Sequence, residues 1–371
     1  MKKEIGIMSL FLALFLLVTN SNVYAKPNSH RLAGKDRYKT SIAIAKEGWQ
    51  SSNYAILATG GNFPDALSAA PLAKKYNAPI LLTQQQNLND DVKSELERLS
   101  VKNVFIIGSS GVISNDIEKE LNSMNIKTER IYGKDRYETS IEVAKKVGTN
   151  NGIIVATGEN FPDALSIAPI AYKKSIPIIL TQKNELPKNV KKFLNLNIYD
   201  KSYIVGSDGV ISNSVYNSLK NPKRLYGADR YKTNIAIINE FKNELSLDKL
   251  YVATGRNYPD ALTGSVLAGK TNSPILLVEG DTVNSSTLLF VKNNYSNINN
   301  VITLGSEGVV NDVVVKSVEE GRNISLETVY LSAEGSKFHR YTCSTLKETK
   351  ISISRSTAIS KGYGPCKVCK P

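Results

Sequence analysis

A block of ten residues occurs three times in this chain and constrains its fold more than any other feature. Arg31-Leu32-Ala33-Gly34-Lys35-Asp36-Arg37-Tyr38-Lys39-Thr40 returns from Arg130 to Thr139 and again from Arg224 to Thr233, at offsets of 99 and 94 residues. A second block, Ala58-Thr59-Gly60-Gly61-Asn62-Phe63-Pro64-Asp65-Ala66-Leu67, recurs from Ala156 to Leu165 and from Ala253 to Leu262, where Tyr258 replaces the phenylalanine. A third, Gly108-Ser109-Ser110-Gly111-Val112, recurs from Gly206 to Val210 and from Gly305 to Val309. A period of about 100 residues is domain-sized, so each copy can own a core, unlike the short repeats of a solenoid.

Within the first copy, Tyr54 to Ala58, Pro79 to Thr83 and Val104 to Ile107 are short apolar runs without polar alternation, as in strands covered on both faces. Helical patterns separate them, at Tyr38 to Trp49, Pro64 to Tyr76 and Asp90 to Leu99. This alternation predicts an α/β fold: three tandem flavodoxin-like or Rossmann-like units, each a parallel sheet between helix layers. Two loops, Thr59 to Pro64 and Gly108 to Gly111, follow strands and open helices, with Ser114 or Asn115 capping the second helix. Both should lie at the carboxyl edge of the sheet, where open α/β sheets bind ligands. Pro71 and Pro169 fall inside predicted helices and should kink or break them; the third copy has Val266 there, and Val278 where Thr83 and Thr181 stand in the others.

The chain starts with Lys2-Lys3, an apolar run from Ile5 to Val18 and then Val23-Tyr24-Ala25, the pattern of a secretory signal peptide cleaved after Ala25. The run has 14 residues, short of the roughly 20 that a spanning helix needs. Removing two lysines and one glutamate takes the formal charge from +13 to +12. Export and basicity point to an anionic partner outside the membrane, whether nucleic acid, lipid or an acidic polymer. All three cysteines lie after residue 340, so the repeats fold without disulfides.

The three blocks, together with Ile80-Leu81-Leu82, Ile178-Ile179-Leu180 and Ile275-Leu276-Leu277, resemble the type-2 cell-wall-binding repeats of Gram-positive, especially clostridial, surface proteins. The resemblance covers about residues 30–322 and implies a pseudo-threefold set of Rossmann-like domains. It further implies a surface, S-layer-associated location and an anionic secondary wall polymer as partner, held without covalent attachment. Expected boundaries are a signal peptide over 1–25, repeats over 26–127, 128–221 and 222–326, and a C-terminal module over 327–371. The family's isoleucine-leucine-leucine signature, associated with anchoring, reads physically as buried strand.

Candidate polymer contacts are therefore loop and helix-start residues. Arg37, Arg136 and Arg230 offer bidentate anion recognition. Asn62, Asn160, Asn257, Ser109, Ser207 and Ser306 lie in the two loops beside helix N-termini, which suit anionic groups. An internal Asp–Arg bridge or a domain contact is the alternative for each arginine. The recurring aspartates, Asp36, Asp65 and their equivalents, read as helix caps and not as catalytic acids, and no catalytic residue is assigned. The glycine turns match neither the dinucleotide fingerprint nor the phosphate loop. Triplication suits weak polymer contacts, which gain effective concentration when linked.

The tail differs. His339, Cys343, Cys366 and Cys369 make a Cys₃His set suited to structural zinc, with a short helix capped by Ser354 and ended by Gly362 between the ligand pairs. The alternatives are a Cys366–Cys369 disulfide with Cys343 left over, or unpaired thiols. A segment of this size needs such a staple. It resembles small zinc modules of exported bacterial proteins and, distantly, the metal-binding domain of the Ada repair protein, with His339 in place of one cysteine. From residue 327 onward it carries eight basic residues against three glutamates, yet no base-reading motif, so nucleic acid is not expected. After signal cleavage no membrane contact is expected, and the oligomeric state is open. The rival reading is a wall hydrolase or nuclease-like enzyme using the tail or a repeat interface.

Overall fold

The structure, a computed structural model, describes residues 25–324, 328–346 and 350–371. The signal-peptide expectation therefore lies, except for Ala25, outside the described residues. No helix among the described residues is long and apolar enough to cross a membrane.

Three four-stranded parallel sheets follow one another, as the strand–helix alternation requires. The first has the order β3 (Ile80–Thr83), β2 (Tyr54–Thr59), β4 (Asn103–Ile107), β5 (Lys127–Ile131). Numbered within the unit this is 2-1-3-4, the flavodoxin-like order, with its switch point between β2 and β4. The second sheet repeats it with β7 (Ile178–Thr181), β6 (Ile153–Thr157), β8 (Ser202–Val205) and β9 (Pro222–Leu225). The third uses β11 (Ile275–Val278), β10 (Lys249–Thr254) and β12 (Asn300–Leu304). Its fourth strand is β1 (Asn28–Leu32), from the other end of the chain, paired in parallel from Asn28↔Asn300 to Leu32↔Leu304.

Each opening block thus lends its strand to the preceding sheet and its helix to its own copy. The three copies close into a ring. All nine residues of the isoleucine-leucine-leucine runs are buried in β3, β7 and β11. Full burial of each such side chain contributes about 1.5–3 kcal/mol, which accounts for these runs as core.

The helices after the second block converge where the copies meet. Helix Pro162–Lys174 contacts both Ala69–Tyr76 and Pro259–Lys270, which also touch each other. Pro259–Lys270 is buried from Pro259 to Gly269 without interruption, the pattern of a helix packed on all sides. Gly269 permits this: a Cβ there would come within 2.6 Å of the Tyr172 Cβ. The largest core cluster consequently runs through all three copies, while smaller outer clusters belong to the second and third. The expectation of one core per copy is corrected: the copies share a centre.

The proline expectation also changes. The second copy's helix continues unbroken through Pro169, and the burial of nearly the whole helix offsets the cost of the missing backbone bond. In the first copy a 3₁₀ turn, Asp65–Ser68, precedes helix Ala69–Tyr76, and Pro71 falls in its first turn, where N–H groups lack partners anyway.

After residue 327, β13 (Thr328–Leu331), β14 (Lys337–His339), β15 (Ile351–Ser354) and β16 (Gly364–Pro365) form a small sheet in the order β15-β13-β14-β16. Ser354 caps helix Arg355–Ser360 by accepting from the Thr357 amide, and Gly362 follows at φ +84°.

Candidate functional site

The opening block is a self-locking turn. Asp36, Asp135 and Asp229 cap their helices, each accepting at 2.8 Å from the amide three residues on. Thr40, Thr139 and Thr233 accept from the amides of Gly34, Gly133 and Gly227 at 2.9–3.1 Å. A Cβ on any of these glycines would lie within 2.7 Å of backbone, so the close approach needs glycine. The leading arginine fastens the third block of the preceding sheet: Arg130 donates to the Gly108 and Ile113 carbonyls at 3.1 and 2.8 Å, and Arg224 to Gly206 and Ile211 at 2.9 and 2.8 Å. Arg31 does the same to Gly305 across the ring closure, at 2.7 Å.

Arg37, Arg136 and Arg230 are half-buried. They donate to the carbonyls of Gly60, Gly158 and Gly255 in their own copies. Each also faces the second-block aspartate of the preceding copy: Arg136 faces Asp65, Arg230 faces Asp163 and Arg37 faces Asp260. The attraction runs between copies, and the expected internal Asp–Arg bridge is not among the ion pairs formed by the described residues. Asp65, Asp163 and Asp260 sit in first helical turns whose caps make no side-chain bond, so the reading of these three as caps is corrected. Desolvation dominates at all three: it raises the Asp65 carboxyl against a hydrogen bond from Thr139 and then the pull of Arg136, and pushes Asp163 and Asp260 up to about 6 against the pull of Arg230 and Arg37.

At the first junction these parts enclose a cleft of about 240 Å³, lined by Asn62, Asp65, Ser109, Lys134 and Arg136 among others. It sits at the carboxyl ends of β2 and β4, the topological switch point, roofed by the next copy's turn. Asn62, Asn160 and Asn257 are exposed, and each carboxamide oxygen accepts from the following amide at 2.9 Å. Ser109 and Ser207 are half-buried and Ser306 is exposed. Asn62, Ser109 and Arg136 meet in one cleft; Asn257 instead lines a larger opening of about 520 Å³, which Ser306 does not reach.

In the tail, ligand atoms of His339, Cys343, Cys366 and Cys369 all lie within 4.8 Å of one another. Cys343 Sγ is 3.3 Å from His339 Nδ1 and 3.9 Å from Cys366 Sγ. Tetrahedral geometry with metal–sulfur bonds of about 2.3 Å sets sulfurs ~3.8 Å apart, so these residues could hold a metal ion. All three cysteines are free, so the disulfide alternative is not formed. The Arg340 amide donates to Cys369 Sγ at 3.3 Å, and the Thr345 hydroxyl lies 3.0 Å from Cys343 Sγ. The Thr345 hydroxyl, with the Cys369 amide behind it, pulls the Cys366 thiol down to about 6.

The sequence profile described as cell wall binding domain 2 (CWB2) matches residues 31–118, 130–216 and 224–315. The chain belongs to the CWB2 family. Two relatives come from Bacillus subtilis (strain 168). One, the N-acetylmuramoyl-L-alanine amidase LytC, is 30% identical over 320 residues, which are 86% of this chain and 63% of the relative. The other, an amidase enhancer, is 38% identical over 272 residues, 72% of this chain and 37% of the relative. The chain thus spans less than two thirds of the length of either. Among solved structures it is similar to Cwp8 from Clostridium difficile (TM-score 0.71, 28% identity, 86% of this chain and 55% of that one). Cwp6 from the same organism gives a TM-score of 0.70 at 28% identity, over 79% and 48%.

The CWB2 matches end before the Cys₃His cluster. Sequence reasoning missed two things within the CWB2 ring. Phe63, Phe161 and Tyr258 meet at its centre with ring centroids 5.5, 5.7 and 6.0 Å apart, one aromatic from each copy. Their identical place in each second block was the available signal. The contact of Tyr341 with Glu307 at 2.9 Å, which docks the tail on the third CWB2 copy, had no signal, because nothing local links residues 34 positions apart.

Proposed function

We propose that this protein is an exported, wall-attached surface protein that works by binding, its three CWB2 repeats holding an anionic secondary wall polymer. The supporting observation is the junction cleft in which Asn62, Ser109 and Arg136 converge with Lys134, the two cations matching the cleft's two acids, Asp65 and the helix-capping Asp135. Arg136 already donates to Gly158, yet its guanidinium has further N–H groups, and the exposed amide of Asn62 and hydroxyl of Ser109 are donors a phosphate or carboxylate oxygen can meet. Cleavage after Ala25 leaves β1 whole, so export and ring closure are compatible. The expected result is co-sedimentation with polymer-bearing walls and release by raised salt or by stripping the anionic polymer. Indifference to both treatments sinks the proposal.

The tail is read as a module folded around structural zinc. Three thiolates and one imidazole are the donor set of closed, tetrahedral zinc sites, and four protein ligands leave no position for a catalytic water. A second reading, a wall hydrolase, draws on the likeness to the amidase LytC. Replacing Cys366 and Cys369 separates the two: the structural view expects only the tail to unfold, whereas the hydrolase reading expects a measurable activity to disappear.

A further inference from the structure

The third copy's strand-edge opening is walled partly by the tail. Around it stand Arg256, Glu279, Asp281 and Glu307 from the repeat and Tyr341 and Thr342 from the tail, enclosing about 520 Å³. The arginine is occupied by the cleft's own acids, 3.1 Å from Asp281 and 3.6 Å from Glu279. One cation against three carboxylates leaves the lining negative. At the equivalent positions the first copy has Gly61, Gln84, Gln86 and Ser110, all uncharged, and the second has Glu159, Gln182, Asn184 and Asp208, two acids against the third copy's three. A phosphate-bearing polymer meets like charge here, whereas sugar hydroxyls find carboxylate acceptors.

The tail supplies what the repeat lacks. Tyr341 is the cleft's aromatic residue, held by its bond to Glu307 at 2.9 Å, by the edge of Tyr330, with centroids 5.0 Å apart, and by Lys350, whose Nζ covers one face of the ring 4.0 Å from its centroid and leaves the other face for a ligand. Cys343, Cys366 and Val313 of helix Asp312–Glu320 belong to one buried cluster, so the metal-ligand residues themselves brace the tail against the third repeat. A concave, polar opening with one fixed aromatic ring suits a ring-shaped ligand with a mixed polar and apolar surface.

We infer that the tail and the third repeat together form a second kind of site, a cleft for an uncharged saccharide unit, in which the Cys₃His loop holds Tyr341 and Thr342 over the strand edge. The site is separate from the cleft at the first junction.

The test is calorimetric titration of the full, metal-loaded chain with maltotriose, tri-N-acetylglucosamine and glycerol phosphate as probes. At least one neutral trisaccharide should bind, and Tyr341→Ala should weaken it by about tenfold while melting temperature and metal content stay in place. Because that variant can loosen the tail, Glu279→Gln on the opposite wall is the second arm and should weaken the same trisaccharide. Binding of neither trisaccharide, binding that survives both substitutions, or displacement of the trisaccharide by glycerol phosphate each overturns the inference. Wall co-sedimentation is scored apart: its failure strikes the polymer proposal and leaves this site standing.

Discussion

The Tyr258 hydroxyl donates to the Gly60 carbonyl at 2.6 Å, tying the third copy's second block to the first copy's. Arg37 also donates to that hydroxyl at 3.2 Å and to the same carbonyl. The other two junctions have phenylalanine at this place and are joined by continuous chain; the junction without a covalent link carries the extra hydroxyl. Tyr258→Phe keeps the ring and removes the bond, and should cost about 1 kcal/mol in chemical denaturation. A loss below the error of the measurement would show that Arg37 satisfies Gly60 alone.

The aspartates at the junctions give the ring a pH dependence. Folding raises Asp163 and Asp260 from an ordinary carboxyl value to about 6, so between pH 4 and 6 the folded chain holds protons that the unfolded chain has released. Their contribution is present in full below the unfolded value and is lost as pH rises through about 6, each tenfold difference in proton affinity between the two states being worth about 1.4 kcal/mol. Asp163→Asn with Asp260→Asn should therefore be more stable than the wild type at pH 7, with the difference closing toward pH 4. Thermal melts across that range decide it, and an advantage that grows on acidification contradicts the assignment.

If the two loops at the carboxyl edge carry the polymer, added negative charge there should repel it. Ser109, Ser207 and Ser306 replaced together by glutamate should reduce wall retention at low salt by at least about tenfold, the effect of ~1.4 kcal/mol in binding. Helical content by circular dichroism should be unchanged, since none of these side chains caps a helix. Retention equal to the wild type would move the polymer site elsewhere on the ring.

The flavodoxin-like unit was legible because buried parallel strands read as unbroken apolar runs such as Ile80-Leu81-Leu82, and because Ser114 and Ser354 announce their helices. What stayed hidden was non-local. No local pattern says that Asn28–Leu32 pairs with Asn300–Leu304, since a short strand carries no address for its partner. The same holds for the arginines: Asp36 and Arg37 are adjacent in sequence, yet Arg37 faces Asp260. The Cys₃His cluster was legible because four residues of unusual type, two pairs 23 residues apart, leave few other arrangements.

Removing residues 26–32 tests the ring closure itself. It deletes β1, leaving the β12 edge bare, and takes away the Arg31 bond to Gly305 and the Lys26–Glu319 ion pair. An uncovered edge strand is a template for association. The truncated chain should show fast hydrogen exchange over 300–304 and concentration-dependent aggregation, while exchange in the second sheet stays slow. Equal protection in both chains would mean that β1 is dispensable.

Metal removal should act on the tail alone. On the zinc reading, an ion held by these four residues supplies folding energy that the segment's two small apolar clusters cannot, so folding and ion binding should be one event there. Chain purified without chelator should carry about one equivalent of zinc, and less than half would count against the site. Chelation, or Cys366→Ser with Cys369→Ser, should free residues 328–371 to proteolysis. The repeats should keep their main melting transition, because Val313 and Glu307 meet the tail only at their surface and the shared core of the three copies contains no tail residue. Loss of the main transition together with the tail would show instead that the module is a structural part of the ring.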